Sequence, residues 1–221
     1  MPGCPRGYNG PGGLSQLSKH ASCTGGIHRY IDIMVFSNNH FYQHPTCQYL
    51  YDCGSYDPEG LLGTLTACTL TYLGLVSGRI ILHFNTNGDR LRCWGVAAFF
   101  LLLLAGILCG FSQNEGIIPI NKNLWSTSFG LISAGGGLVG LGLTYVLVDV
   151  YQLWSGFPFN YLGMNSILAY CCHGILRKYF PFSYSTDSTS HAKQLMMNFI
   201  GASCWLVIAY YCYRIKFFVK V

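Results

Sequence analysis

The chain has 221 residues, of which 51% are hydrophobic and 10% are charged, and its formal net charge is +5. Soluble domains carry about 25% charged residues, so this chain has too few charges to cover a water-exposed surface. The composition therefore excludes an ordinary soluble globular domain and favours a polytopic membrane protein.

The first 58 residues form a polar, glycine-rich segment that contains several prolines. Its beginning has no apolar run of the kind that defines a secretory signal peptide. We predict that 1–58 is a lumenal, loop-rich segment and that 59–221 is a transmembrane helical bundle.

Four cysteines, an even number, lie in this N-terminal segment: Cys4, Cys23, Cys47 and Cys53. An oxidising lumen would allow two disulfides with three possible pairings, and four free thiols are the alternative. Their spacing contains no CxxC pair, so we expect no metal site.

Five apolar stretches follow the N-terminal segment. A membrane-spanning helix needs roughly 20 mostly apolar residues, and the stretches fall at about 61–84, 93–111, 124–148, 158–176 and 195–213. The fourth stretch is shorter and more polar than the others. The pattern predicts an all-α membrane protein with about five transmembrane helices.

The distribution of basic residues predicts the orientation of the chain. Five spans place the first inter-helix connection and the C-terminal tail on the same side of the membrane. That side carries the larger set of basic residues: Arg79, Arg90, Arg92, Arg214, Lys216 and Lys220. Cytosolic loops are enriched in Lys and Arg, so we predict a cytosolic C-terminus.

Two carboxylates precede the first span, in the string Asp57-Pro58-Glu59. One interpretation is structural, because an Asp N-cap, a Pro at the first helical position and a Glu in the first turn favour a helix start. The other is a carboxylate pair at the mouth of a membrane cavity, where it could bind an amine or accept its proton.

Polar residues also open the third span. Asn123 could be the N-cap of that helix, and Asn121 and Lys122 precede it. Lys122 could pair with Glu115 or with an anionic substrate. We keep Asn121 and Lys122 as candidate lining residues of a site.

The fourth span contains Asn165 and a polar stripe of Ser166, Tyr170 and His173 at positions i, i+4 and i+7. Ionisable residues at membrane depth usually face a bundle interior or a water-filled cavity. A histidine at the interface, hydrated near the end of the helix, is the alternative. Asn165 and His173 are therefore further candidate lining residues.

Several unusual strings, in chain order, carry a resemblance to a known enzyme family. They are CPRGYNGPGG at 4–13, CTGG at 23–26, YID at 30–32, YQHP at 42–45, YDPEGLLGT at 56–64, NEGIIPINKNLWS at 114–126, GMNSILAY at 163–170 and YFPF at 179–182. The chain resembles the C-terminal half of the lysosomal heparan-α-glucosaminide N-acetyltransferases. It departs from the family pattern at Ile33, where we expect a basic residue.

The resemblance implies transfer of acetyl from cytosolic acetyl-CoA, a co-substrate, to the terminal glucosamine of heparan sulfate. It implies a multi-pass protein of the lysosomal membrane, with membrane lipid, acetyl-CoA and a heparan sulfate oligosaccharide as partners. A homo-oligomer is an open alternative, and no nucleic-acid partner is expected. The family's catalytic histidine lies in the half that precedes this one, so no residue of this chain inherits that role.

Two other functions stay open at this point. One is a membrane transporter or permease, although the sequence shows no pair of corresponding broken segments that would indicate an inverted repeat. The other is a non-catalytic membrane fragment that lacks the catalytic half. The chain contains no GxxxxGK[ST] phosphate-binding string.

Overall fold

The computed structural model describes residues 3–40, 42–113, 116–176, 179–181 and 191–219. Over these residues it contains no β-strand and the following α-helices: α1 Gly26–Phe36, α2 Cys47–Tyr51, α3 Leu61–His83, α4 Asn87–Leu108, α5 Thr127–Tyr145, α6 Phe159–Met164, α7 Ser166–Leu176 and α8 His191–Arg214. The chain divides into two compact units, Met1–Tyr145 and Val146–Val221. The division predicted at residue 58 stays a prediction.

Four helices are long and apolar enough to cross a membrane: Leu61–His83, Asn87–Leu108, Thr127–Val150 and His191–Arg214. The third of them consists of α5 and a π-helical turn, Val146–Val150. The predicted all-α class is confirmed. Four of the five predicted spans overlap these helices, with bounds that differ by at most six residues.

The fourth predicted span, 158–176, is not one helix. The chain forms the short helix α6, interrupts the helical backbone at Asn165, and resumes as α7. The Asn165 amide explains the break, because it bonds to the C-terminal tail of the same unit. Its Nδ2 donates to the Phe217 carbonyl at 2.7 Å, and its Oδ1 accepts from the Val219 N–H at 3.0 Å.

Within the first unit, helices α3, α4 and α5 form the bundle, and small residues bring them together. A Cβ added at Gly135 would lie 2.7 Å from Leu102 Cγ of α4, and one at Gly130 would lie 2.6 Å from Thr66 Cγ2 of α3. Such close approaches provide the packing that holds helices together in lipid. Trp94 of α4 is fully buried and its Nε1 donates to the Ser77 carbonyl of α3 at 3.4 Å.

The N-terminal segment packs on one end of this bundle. Tyr56 and Leu124 are buried together with Cys47 and Cys53, and the Tyr56 hydroxyl donates to the Asn123 carbonyl at 3.1 Å. The cysteines pair as Cys4–Cys23 and Cys47–Cys53, both inside the segment. The segment and the loop before α5 therefore lie at the same end of the helices.

A polar cluster holds the opposite end of the first unit. The Arg90 guanidinium donates from Nε to the Phe84 carbonyl and from an Nη to the Tyr145 hydroxyl, each at 2.7 Å. The Tyr145 hydroxyl donates to Asn87 Oδ1 at 2.7 Å. This cluster ties the connection between α3 and α4 to the last residue of α5.

Candidate functional site

The start of α3 is held by a carboxylate from another helix. Asp32 of α1 is 1% exposed, and its Oδ1 accepts from the Leu61 N–H, the first helical residue, at 3.0 Å. Its Oδ2 is buried without a hydrogen-bond partner among the described residues. Burial, and the charge of nearby Asp57, raise the pKa of Asp32. The N-terminus of a helix stabilises such a negative charge.

The structural interpretation of Asp57 as the N-cap of this helix is wrong. The helix begins four residues later, at Leu61, with Gly60 as its N-cap residue. Asp57 instead closes a local turn, where its Oδ1 accepts from the Glu59 N–H at 2.9 Å. The Leu61 N–H at the helix start is bonded to Asp32, and Asp57 and Glu59 lie in the loop that precedes the helix.

This loop borders a cavity of about 310 Å³, which we name the Glu59 cavity. Its lining residues are Pro58, Glu59, Gly63, Thr64, Ala67 and Trp125. The Glu59 side chain is exposed, and its carboxylate has no ion-pair or hydrogen-bond partner in the part of the chain that the structure describes. The carboxylate is therefore free to bind a cation that enters the cavity.

Trp125 forms the aromatic wall of the Glu59 cavity. Its backbone has a φ of 47°, which is a strained conformation for a residue with a side chain. The Trp125 N–H donates to the Lys122 carbonyl at 3.1 Å, which closes the turn that holds this conformation. An aromatic ring and a free carboxylate that line the same cavity suit a sugar that carries an ammonium group, since the ring packs on the apolar face of the sugar.

The residues before α5 form a hydrogen-bonded turn that caps the helix. Asn121 is buried, its Oδ1 accepts from the Leu124 N–H at 3.1 Å, and its own N–H donates to Ser126 Oγ at 3.0 Å. Ser126 Oγ also accepts from the Phe129 N–H at 3.3 Å and so caps α5. The prediction of Asn123 as the N-cap is therefore wrong. Lys122 is exposed and does not line the Glu59 cavity.

The two candidates of the second unit differ in their surroundings. Asn165 is 1% exposed and both atoms of its amide bond to the tail after α8. His173 is exposed on α7, as is Tyr170 of the same stripe. A site-lining role for Asn165 and His173 stays a prediction, as does the same role for Asn121 and Lys122.

The inward face of α1 was not predicted from the sequence. His28 and Asp32 are one helical turn apart and are both buried, His28 being 7% exposed. Burial alone lowers the pKa of His28 to about 4. The i, i+4 spacing of two polar residues was the available signal, and it went unused because no helix was predicted in this segment.

His28 should make the protein less stable in acid. Its folded-state pKa lies below the ordinary value of about 6.5, so the unfolded chain takes up the proton first. Stability is full above pH 6.5 and falls as the pH approaches 4, with a loss of about 2 kcal/mol at pH 5. Thermal unfolding of the protein and its His28→Asn variant between pH 7.5 and 4.5 measures this loss.

The difference between wild type and His28→Asn isolates the contribution of His28, because Asp32 is present in both proteins. Asp32 contributes to the pH dependence of stability with the opposite sign. The raised pKa of Asp32 favours its protonated form in the folded state, so its contribution to stability increases as the pH falls. His44→Asn at an exposed position is the matched control. An equal pH slope for wild type and His28→Asn would contradict the prediction.

Comparison with known proteins gives one family of relatives. No protein-family model matches the chain. The chain is 42% identical to the heparan-alpha-glucosaminide N-acetyltransferase of Mus musculus and 41% identical to that of Homo sapiens, in each case over 100% of this chain and 34% of the relative. The chain thus spans about a third of the length of these relatives. The resemblance found in the sequence is confirmed.

Proposed function

We propose that this chain is part of a transmembrane N-acetyltransferase that acetylates the terminal glucosamine of heparan sulfate. The observation that carries the proposal is the similarity to two enzymes of that name over the whole chain, at 42% and 41% identity. The candidate membrane spans and the Glu59 cavity support it. Because the chain spans a third of these relatives, we propose that activity needs the rest of such a protein.

The acceptor chemistry suggests a role for the Glu59 cavity. A glucosamine amine is protonated near neutral pH and must lose a proton before its nitrogen can attack a thioester carbonyl. In the reaction a C–N bond forms, the C–S bond breaks, and the thiolate that leaves takes up a proton. A carboxylate beside an aromatic wall could bind the ammonium form of the sugar and then accept its proton.

The donor and the location are part of the same proposal. We take acetyl-CoA as the acetyl donor, approaching from the cytosol, and the lysosomal membrane as the location. A cytosolic C-terminus needs an odd number of crossings, so the segment of α6 and α7 would have to cross the membrane in addition to the four long helices. The basic residues near the connection of α3 and α4 support a cytosolic location for that connection. The Glu59 cavity, at the end of the bundle that carries the N-terminal segment, would then open toward the lumen and its glycan.

Acetyl transfer from labelled acetyl-CoA to a glucosamine acceptor tests the proposal. It is measured in membranes that hold this chain alone, and in membranes that hold it with the complementary portion of the mouse relative. Activity that requires both parts is the expected result. Absence of activity in both, with both parts folded and inserted, would refute the proposal, and activity of this chain alone would refute the dependence.

A further inference from the structure

A cavity outside the candidate membrane spans lies between the beginning of the chain and α1. Its volume is about 450 Å³, and its lining combines the loop 4–8 with Gly26, Ile27 and Tyr30 of α1. None of these residues belongs to a helix long enough to cross a membrane. We name it the Arg6 cavity.

Covalent and backbone contacts hold the loop of the Arg6 cavity against α1. The Cys4–Cys23 disulfide fixes one end of the loop, and at the other end the Tyr8 carbonyl accepts from the Ile27 N–H at 2.8 Å. A Cβ added at Gly26 would overlap that carbonyl oxygen, so the loop and the start of α1 are in direct contact. The cavity is therefore formed before a ligand binds, which reduces the entropic cost of binding.

The lining of the Arg6 cavity has one cation and no anion. Arg6 is exposed and has no ion-pair partner in the part of the chain that the structure describes, and no Asp or Glu is among the described lining residues. A guanidinium can donate two parallel hydrogen bonds to one anionic group. The charge of this cavity favours an anionic ligand, which is the opposite of the Glu59 cavity.

Two tyrosines supply aromatic surface to the Arg6 cavity. Tyr30 is 47% exposed, so a ligand can reach it. Tyr8 is held in place by the Gly12 N–H, which donates to its hydroxyl at 3.3 Å, and by the His20 ring, whose centroid lies 4.8 Å from that of Tyr8. Aromatic rings with a polar tip pack on the apolar face of a sugar. An arginine beside such rings suits a sugar that carries a negative charge.

The compartment narrows the choice of anion. Both disulfides lie in the N-terminal segment, and disulfides persist in oxidising compartments rather than in the cytosol. This argues against a cytosolic nucleotide. The lining contains no residue of a candidate membrane span, so a phospholipid would find no contact there for its acyl chains. Heparan sulfate, the acceptor in the proposed reaction, is an anion of the lumenal side because it carries uronic acids and sulfates along its chain.

We propose that the Arg6 cavity binds an acidic sugar of heparan sulfate, with Arg6 pairing with its anionic group and Tyr30 packing on its ring. The choice of this glycan rests on the proposed function. The opposite charges of the two cavities match the acceptor, which has a cationic terminal glucosamine and an anionic interior. Helix α1 connects the two sites, because it contributes Tyr30 to one and its Asp32 caps the helix that follows the Glu59 loop.

Direct binding tests the acidic-sugar site without acetyl transfer, so its failure and the failure of the proposed function are separate results. The probe is a fluorescent heparan sulfate oligosaccharide, added to the full chain in phosphatidylcholine nanodiscs and followed by fluorescence anisotropy. We expect saturable binding that weakens with added salt and that a neutral chitin oligosaccharide does not displace. Displacement by the chitin oligosaccharide, or by vesicles of an anionic phospholipid, would overturn the proposal.

Charge-matched variants separate the cavity from a general attraction of the polyanion. Arg6→Gln should weaken binding roughly tenfold, as expected for the loss of one hydrogen-bonded ion pair. Lys19→Gln removes the same charge from an exposed residue of the same segment that does not line the cavity, and it should leave binding unchanged. Tyr30→Ala should also weaken binding, whereas Tyr30→Phe, which keeps the ring, should not. Equal affinities of Arg6→Gln and Lys19→Gln would overturn the site. Unchanged thermal unfolding of each variant verifies the fold.

Discussion

Replacing Glu59 with Gln is expected to lower kcat/KM for acetylation of glucosamine by roughly 100-fold, the low end of what a group that transfers a proton contributes. Gln keeps the size of the side chain and removes its charge, so the cavity loses the group that we propose to bind the ammonium and accept its proton. The measurement is the acetyl-transfer assay with this chain and the complementary portion of the mouse relative. A rise in KM alone would indicate binding, and a fall in kcat would indicate proton transfer.

Asp52→Asn is the matched control for Glu59→Gln. Asp52 is an exposed carboxylate of the same segment, it does not line the Glu59 cavity, and Asn tolerates its backbone φ of 50°. We expect Asp52→Asn to retain full activity. Equal activity of Glu59→Gln and wild type would remove Glu59 from the proposed site while leaving the acetyltransferase proposal standing.

The membrane spans could be predicted from the sequence because their signal is local. A run of about 20 apolar residues satisfies both the bilayer and its own backbone without reference to the rest of the chain. The fourth stretch, 158–176, was predicted as one helix but is interrupted at Asn165. Its break depends on hydrogen bonds with Phe217 and Val219, more than fifty residues away, and no local pattern contains that information.

The helix starts were harder to predict for the same reason. Asp57 and Asn123 are residue types that are common at N-caps. The start of α3 is nevertheless capped by Asp32, which lies 29 residues before Leu61. Ser126 caps α5, and its Oγ accepts hydrogen bonds from the N–H groups of Asn121 and Phe129. Local propensity identified the loops that precede the two helices but not the residues that bond to the helix starts, of which Asp32 lies in α1.

The candidate site was predicted in part. The carboxylate of Glu59 was identified from its place before a span, and the structure puts it beside a cavity with Trp125. That aromatic wall comes from a loop more than sixty residues later in the chain, so proximity in sequence could not indicate it. Asn121 was chosen for its polarity, but its amide is used in the turn before α5.

Replacing Gly60 with Ala is expected to destabilise the first unit by about 3 kcal/mol, which combines the loss of a helix cap with overpacking. The backbone of Gly60 has φ −63° and ψ 175°, which Ala adopts freely. The obstacle is Asp32, because an added Cβ would overlap its Oδ2. The carboxylate would have to move, and its bond to the Leu61 N–H would break. Thermal unfolding, followed by circular dichroism, should show the loss as a drop on the order of 10 °C in the unfolding temperature.

A double-mutant cycle identifies the contact behind this loss. In an Asp32→Ala background the cap is already absent and the space beside Gly60 is free, so Gly60→Ala should then have almost no effect. Gly95→Ala, in α4 where an added Cβ meets nothing within 4 Å, is the control and should leave the unfolding temperature unchanged or slightly higher. If Gly60→Ala destabilised both backgrounds equally, Asp32 could not be the group that holds α1 on the start of the first membrane span. Strong coupling would instead show that this one buried carboxylate, 29 residues distant in sequence, fixes where the first span begins and thereby positions the loop that carries Glu59.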